Sequence, residues 1–466
     1  MSPRSSATPP DDDCREALVG RARELALLRE RLAAALAGRG GLVAIGGEAG
    51  VGKTTLARAL LREAAARGAL LATGAGYDLA ATPAYGPWAE VFGHLAAGGE
   101  LPPLPAAILP PGQSGGTDAG ASQAALFARL RDALATAAAR RPLVLLLEDL
   151  QWADADSLDL LCYLVHQAAA LPLLLVATYR TDERPRHHPT AARLTGLVHA
   201  TGGLALDLER LDRDAIRAFV RARYCLPAHD ESRLAAYLDA RTRGNPFFMA
   251  ELLRALVAAA ILRSSAAGWA LGDLAGFGLP LYLQQVIVGR AGRLGEPIVR
   301  ALSMAAVVGQ DVPLALWGAV SGLDEDALLD VVERAADAHL LEETPDGAAV
   351  RFRHALLREA LYRDIHPARR RSWHRRVGEA LTATPDAAPD AVADQFRRAG
   401  DARAVPWLVA AGERAQRAYA WLTAATHYEA ALAILGQCGT AAGERGWLLL
   451  RLALLRRYDD SRAAGA

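Results

Sequence analysis

The sequence predicts an α/β domain, a parallel sheet with helices on both faces, followed by a largely helical second half. Three observations predict it. Between Leu42 and Leu208, five short apolar runs (42–45, 70–73, 143–147, 173–178 and 204–208) alternate with stretches of helical period. The run 143–147 is Leu-Val-Leu-Leu-Leu with no polar alternation, as a strand buried on both faces requires. Beyond Leu208 the strand signals nearly stop, and amphipathic helical periods take over.

The first strand leads into the most informative residue. Among 52 basic residues Lys53 is the only lysine, and it stands in Gly47-Glu48-Ala49-Gly50-Val51-Gly52-Lys53-Thr54, the spacing of a phosphate-binding P-loop. A G+C-rich coding bias would trade lysine for arginine wherever a solvated charge suffices, but not where a compact ammonium must reach between phosphate oxygens. Strand 42–45, the glycine turn and a helix burying Leu56, Leu60 and Leu61 complete the motif. Its backbone N–H groups and helix dipole are suited to the phosphates of ATP or ADP. Lys53 is expected to bridge the β- and γ-phosphates, Thr54 to ligate Mg²⁺ through its hydroxyl, and Thr55 to follow in the first helical turn. The same bias leaves one asparagine, Asn245, in Gly244-Asn245-Pro246-Phe247, which is expected near the nucleotide as well.

The central apolar run ends in Glu148-Asp149, two carboxylates at the edge of the sheet where α/β ligands bind. One is expected to hold hydrated Mg²⁺ and the other to orient or deprotonate the attacking water. Asp149 is assigned the water and Glu148 the metal. Asp154, Asp156 and Ser157 fit caps of the helix 157–170 better than metal ligands. Arg180, at the end of run 173–178, is either a γ-phosphate sensor or a solvated strand-end arginine. The proline- and glycine-rich stretch 98–122 predicts a surface loop or insertion.

After Leu208, periods at 211–225, 231–243 and 246–262 predict a small helical lid. Runs 340–343 and 349–352 flank Pro345-Asp346-Gly347, a hairpin signal which, after helices, suggests a winged helix. From Ala391, paired helical periods punctuated by Phe396, Ala411, Ala415, Tyr419, Ala424, Tyr428 and Leu432 suggest tetratricopeptide-like units, with 425–435 as a second repeat helix. The apolar helix 447–455 predicts a further pair to cover it, so the array reads as cut short. The expected organisation is a polar leader 1–13, an ATPase domain 14–208, a lid 209–278, a winged helix 279–382 and a tetratricopeptide-like tail 383–466.

Bulk numbers bound the partners. With 466 residues and 52% hydrophobic content the chain can bury more than one core. Equal counts of basic and acidic residues, 52 each, exclude a global field drawing it to nucleic acid or anionic membrane. Cys14, Cys162, Cys225 and Cys438 are too scattered for a zinc site or a disulfide framework. No apolar run approaches the roughly 18 residues of a membrane span, and the expectation is a cytoplasmic protein. Arg369-Arg370-Arg371 with His374, Arg375 and Arg376 forms a basic stripe, read as a solvated helix face before a DNA contact. His187-His188 reads as loop, and Trp317, Trp373 and Trp421 as core.

Val19-Gly20-Arg21, the P-loop, Glu148-Asp149-Leu150-Gln151-Trp152-Ala153-Asp154, Thr178-Tyr179-Arg180, Gly244-Asn245-Pro246-Phe247-Phe248 and Arg351-Phe352-Arg353-His354-Ala355-Leu356, taken in order, resemble the STAND signal-transduction ATPases. The likeness is to large ATP-binding LuxR-type regulators and to Orc-like AAA modules, over about residues 18–381. It implies that Val19, Gly20 and Arg21 pack at the adenine, that Pro246 lies against the base, and that His354 touches the ADP β-phosphate. It further implies a slow ATPase switch that opens, self-associates and answers an inducer or protein sensed by the tail. Two alternatives stand beside it, an Orc-like ATPase on DNA and a nucleotide-dependent scaffold without turnover. The chain departs from the pattern in having Glu148 where relatives often carry Asp, and in lacking a recognisable C-terminal helix-turn-helix.

Overall fold

A computed structural model describes residues 18–77, 83–101, 122–181, 190–265, 268–274, 291–292, 294–344, 346–384, 387–438 and 442–463. The leader 1–13, Cys14, most of the stretch 98–122, His187-His188 and Pro345 lie outside the described residues.

Five parallel strands form the central sheet: β1 Gly41–Gly47, β2 Leu70–Ala75, β3 Leu143–Glu148, β4 Leu173–Thr178 and β5 Leu204–Leu208, in the order β2-β3-β4-β1-β5. The three inner strands are buried almost throughout, which is why their sequences are continuous aliphatic runs, whereas edge strands β2 and β5 alternate. Two apolar layers cover the sheet. Helices Ala22–Leu36 and Lys53–Ala66 bury Leu28, Leu32, Leu56 and Leu60 on one face. On the other, Gly86–Ala97, Gln123–Arg140, Ala155–Ala168 and Thr190–Thr201 pack around Trp88, Phe92, Leu130 and Leu161. Because β1 lies between β4 and β5 while β2 lies beyond β3, the C-terminal ends of β1, β3 and β4 gather the P-loop, the acid pair and Arg180 at one edge.

The helical half follows. Arg213–Arg223, Ala228–Thr242 and Pro246–Ala258 enclose a small core around Leu238, Leu252 and Leu256. The third of these stops four residues before the expected end at 262. Ala260 takes a left-handed φ of 54°, and the Ile261 amide closes on the Leu256 carbonyl at 3.0 Å. Leu262–Ser265 then pairs with Gly268–Leu271 in a hairpin that sequence periodicity does not predict, since Leu262 also fits the helical repeat. Further on, the predicted hairpin Leu341–Glu343 with Ala349–Phe352 gains a third strand, Asp311–Pro313, on its outer edge. Helices Glu296–Val308, Leu314–Ser321, Glu325–Asp337 and Ala355–Asp364 pack on this small sheet around the buried Trp317 and Phe352.

Among the described residues five helices follow: Pro367–Thr382, Pro389–Ala399, Ala404–Arg417, Trp421–Cys438 and Ala442–Ala463. Gly412 lets two of them approach closely, since a Cβ there would lie 2.5 Å from the Tyr428 ring. Val392, Phe396, Leu408 and Tyr428 join the same apolar core as the sheet helices, so the tail is folded back on the α/β domain. Trp373 is buried and Trp421 half-buried.

Candidate functional site

The P-loop owes its shape to three positive-φ glycines, Gly47 at 146°, Gly50 at 77° and Gly52 at 104°. Beyond its chain neighbours, nothing lies within 4 Å of where a Cβ on Gly52, the residue before helix Lys53–Ala66, would stand. Lys53 is buried, and its ammonium donates to the carbonyls of Gly47 at 2.8 Å and Glu48 at 2.9 Å. The charge is thus held inside the loop. Glu48 also pairs through its carboxylate with Arg210 at 2.6 Å.

Glu148 closes β3 with its carboxylate in hydrogen-bonding reach of the Thr54 hydroxyl and 3.9 Å from Arg58. Burial pushes its pKa up, Arg58 and Thr54 oppose that shift, and Asp149 adds to it. A carboxylate and a hydroxyl side by side at the mouth of a phosphate loop form the hard oxygen donor set that suits Mg²⁺. Asp149 sits in the left-handed region at φ 52°, a conformation aspartate tolerates, with its amide donating to Thr178 Oγ1 at 2.9 Å. Gln151 Nε2 donates to Asp149 Oδ1 at 3.0 Å, and Gln151 Oε1 accepts the Arg180 amide at 3.0 Å. Gln151 and Thr178 escaped the sequence reading of the site.

Arg180 makes contacts with Trp152 and with the helix Ala355–Asp364. Its guanidinium lies over Trp152, 5.9 Å from the ring centroid, and 3.9 Å from Glu359 of the small-sheet unit. The link is therefore to a neighbouring unit. Arg21 is turned inward, donating to the carbonyls of Val51 at 3.1 Å and Glu209 at 2.5 Å, where it ties the P-loop to the end of β5. Gly20, at φ 74°, leaves room for the lid, as a Cβ there would come within 2.7 Å of Ala215 Cβ. Val19 is half-buried beside it.

Asn245 links the helical unit 213–258 to the loop. Its Nδ2 donates to the Ala49 carbonyl at 2.9 Å, while its Oδ1 caps the lid helix by accepting from Phe247 N at 3.1 Å and Phe248 N at 3.5 Å. Phe247 N also donates to Gly50 O at 3.2 Å. A Cβ on Gly50 would meet Phe247 Cβ at 2.8 Å, Asn245 Oδ1 at 3.0 Å and Leu356 Cδ1 at 3.1 Å. Two units, one supplying Asn245 and Phe247 and the other Leu356, converge on that glycine. Pro246 opens the lid helix, half-buried. His354 precedes helix Ala355–Asp364 without capping it through its side chain, and its exposed ring meets Phe247 edge-on at 5.0 Å.

Asp154 caps helix Ala155–Ala168 through Ser157 N at 2.9 Å, as the spacing implies, and Asp156 binds Thr423 of the tail. In the basic stripe, Arg370 lies over Tyr362 and donates to Arg363 O and Ile365 O, Arg369 lies over Trp373, and Arg375 pairs with Asp401. His374 is buried between Tyr362 and Gln395, its pKa lowered to about 4 by that burial, so it is neutral. Of the stripe, His374 and Arg370 are drawn into packing, while Arg369, Arg371, Arg375 and Arg376 remain exposed. Among the described residues there is no cluster of His, Cys, Asp and Glu able to hold a metal ion by itself, and no helix long and apolar enough to cross a membrane.

Residues 17–176 match the AAA ATPase domain family. An uncharacterised protein of Rhizobium meliloti is 27% identical over 482 residues, covering 94% of this chain and 44% of that protein. Among solved structures, a STAND protein with a tetratricopeptide repeat sensor from Pyrococcus horikoshii superposes with a TM-score of 0.50 at 15% identity, over 94% of this chain and 59% of its own. Cdc6p of Pyrobaculum aerophilum gives 0.39 at 15% identity, over 78% of this chain and 98% of its own. The chain spans less than half of the curated relative and less than two thirds of the STAND protein.

Proposed function

We propose that this chain, which carries an AAA-type P-loop ATPase domain, is a nucleotide-operated switch of the STAND kind: it binds ATP with Mg²⁺, hydrolyses it slowly, and couples nucleotide state to the seating of the lid and a winged-helix unit on the P-loop. The observation that carries this reading is the convergence on Gly50 of Asn245, Phe247 and Leu356, contributed by the lid and the small-sheet unit. A phosphate loop whose own carbonyls hold the lid cannot rearrange around a ligand without moving that lid.

In this reading Lys53 leaves the Gly47 and Glu48 carbonyls for the β- and γ-phosphate oxygens. Thr54 and Glu148 would hold Mg²⁺, which when bound neutralises phosphate charge. Asp149, fixed in its turn by Thr178 and Gln151, polarises the attacking water. Arg180 acts through Glu359 as a latch between the domains. Pro246 and the Val19-Gly20-Arg21 turn flank the base, with Arg21 shaping the loop from behind. The tail 383–466 serves as a tetratricopeptide-like sensor of an inducer or protein, and opening exposes surfaces for self-association.

The test pairs two variants. Asp149→Asn should bind ATP with parental affinity and lose phosphate release, while Glu148→Gln should weaken the Mg²⁺ dependence of binding. Parental turnover in Asp149→Asn, or exchanged phenotypes, would overturn the role assignment. Parental mass and domain mobility in ATP and ADP alike, by light scattering and hydrogen exchange, would overturn the switch.

A further inference from the structure

We infer that Gln151 is the positioning residue for Asp149, resting on the reading of Asp149 as the group that polarises water. Gln151 is 5% exposed, and its side-chain amide makes two bonds, Nε2 to Asp149 Oδ1 and Oε1 from the Arg180 amide, both at 3.0 Å. Chemistry forces that orientation, because an ionised carboxylate only accepts and a backbone N–H only donates. The donor therefore faces Asp149. An amide is suited to the place. Glutamate would turn a second acceptor toward Asp149, and methionine would fill the volume while making neither bond.

Backbone geometry explains the need for such a strut. Asp149 stands alone in the left-handed region between the last β3 residue and the short helical turn Leu150–Trp152, with its amide held by Thr178. That bond fixes the backbone and leaves the side chain to rotate about its own bonds. Gln151 is the contact that fixes the carboxylate. The same amide reads the position of the β4 end, since Arg180, whose backbone it binds, also reaches toward Glu359 through its side chain. Asp149, Gln151, Arg180 and Glu359 thus form one line from the hydrolytic group to the small-sheet unit.

The experiment compares Gln151→Met and Gln151→Glu with Asp149→Asn and with the double variant Gln151→Met/Asp149→Asn, all in the full chain. Loss of a hydrogen bond to a charged group implies a fall in kcat of about ten- to a hundredfold in both Gln151 variants, with KM for ATP unchanged. Adding Gln151→Met to Asp149→Asn should cost nothing more, because the group being oriented is already gone. In nucleotide-free protein, hydrogen exchange at the Arg180 amide should accelerate in Gln151→Met. Parental kcat in folded Gln151→Met, or an equal further loss in the Asp149→Asn background, sinks the inference. Parental turnover in Asp149→Asn itself overturns the underlying assignment instead, so the two failures are told apart.

Discussion

Thr423 docks on Asp156 across 267 positions of sequence: its amide donates to Asp156 Oδ2 at 3.0 Å and its hydroxyl to the same oxygen at 2.8 Å. Thr423 lies in the first turn of helix Trp421–Cys438, where amides lack partners within their own helix, and Ala420 before it has no side chain able to cap. The α/β domain supplies the missing acceptor. Asp156 belongs to the first turn of helix Ala155–Ala168, just beyond the turn that follows Glu148 and Asp149. The footing of the tail therefore lies close in sequence to Glu148 and Asp149.

That footing is pH-sensitive. Burial raises the Asp156 pKa from 3.8 to about 6, the neighbouring carboxylates Asp154 and Asp159 push the same way, and the bonds from Thr423 oppose the shift. Between these two values the folded protein holds the proton more tightly than the unfolded chain. The stabilisation is complete below about pH 4 and is lost as pH rises through about 6, a difference of roughly 2 to 3 kcal/mol. Asp156→Asn cannot titrate, so its stability relative to the parent should rise across this window. Matched denaturant melts at pH 5 and pH 8 check it, and a pH-independent difference between the two proteins would refute it.

Thr423→Val keeps the shape and removes the hydroxyl donor from Asp156. One bond to a charged group is worth about 1.5 to 3 kcal/mol, so exchange in helix Trp421–Cys438 should accelerate by about ten- to a hundredfold while that of β1 and β4 stays parental. Uniform exchange throughout the chain would show that the tail is not separately anchored at this point.

Lys53→Ala removes the chain's only lysine, and if the loop holds ATP as proposed its affinity should fall about ten- to a hundredfold. Lys53→Arg should fail as well, since a planar fork cannot take the place of a point charge wedged between the Gly47 and Glu48 carbonyls. Calorimetry decides, and parental affinity in both variants would remove Lys53 from the site.

Asn245 does two jobs that a pair of substitutions separates. Asn245→Asp keeps an acceptor for the Phe247 and Phe248 amides but loses the donor to Ala49 and sets a negative charge against that carbonyl. Asn245→Ala loses both. If the bond to Ala49 holds the lid shut, the two variants should show similarly faster lid exchange, with Asn245→Ala alone further destabilised by about 1 kcal/mol from the missing cap. Parental lid exchange in Asn245→Asp would reduce the residue to a helix cap.

Much of this was legible in the chain. The five strands show because inner strands of a parallel sheet are apolar on both faces, and the P-loop shows because glycine, lysine and threonine at that spacing have one chemical use. Asn245 was marked by its rarity, yet its partner Ala49 lies 196 positions away, beyond the reach of any local pattern. Asp311–Pro313 is three residues ending in proline, too short to carry a period. Ala260 halts a helix where glycine would have announced the stop. Gln151 lies within a recognised segment, but its role follows from two partners that only the fold brings together. The inward turn of Arg21 and the reach of Arg180 to Glu359 likewise depend on packing between units.

His354 offers the sharpest test of how the small-sheet unit senses the loop. Its ring meets Phe247 edge-on at 5.0 Å, Phe247 donates its amide to Gly50, and Leu356 from the same turn as His354 crowds Gly50 directly. The proposed link of His354 to a bound nucleotide has two routes. One is a ring nitrogen reaching the diphosphate, and the other is packing that steadies Phe247 on the loop. His354→Ala removes both, so ADP release should quicken by about ten- to a hundredfold if a bond to phosphate is lost, and by only a few-fold if an aromatic contact of about 1 kcal/mol is lost. His354→Phe separates the routes, keeping the edge contact and discarding the nitrogens. Stopped-flow release of labelled ADP should find His354→Phe as fast as His354→Ala when the nitrogen is the link, and close to the parent when packing is. Parental release from both variants would disconnect His354 from the nucleotide and leave Leu356 as the contact of that turn with the P-loop.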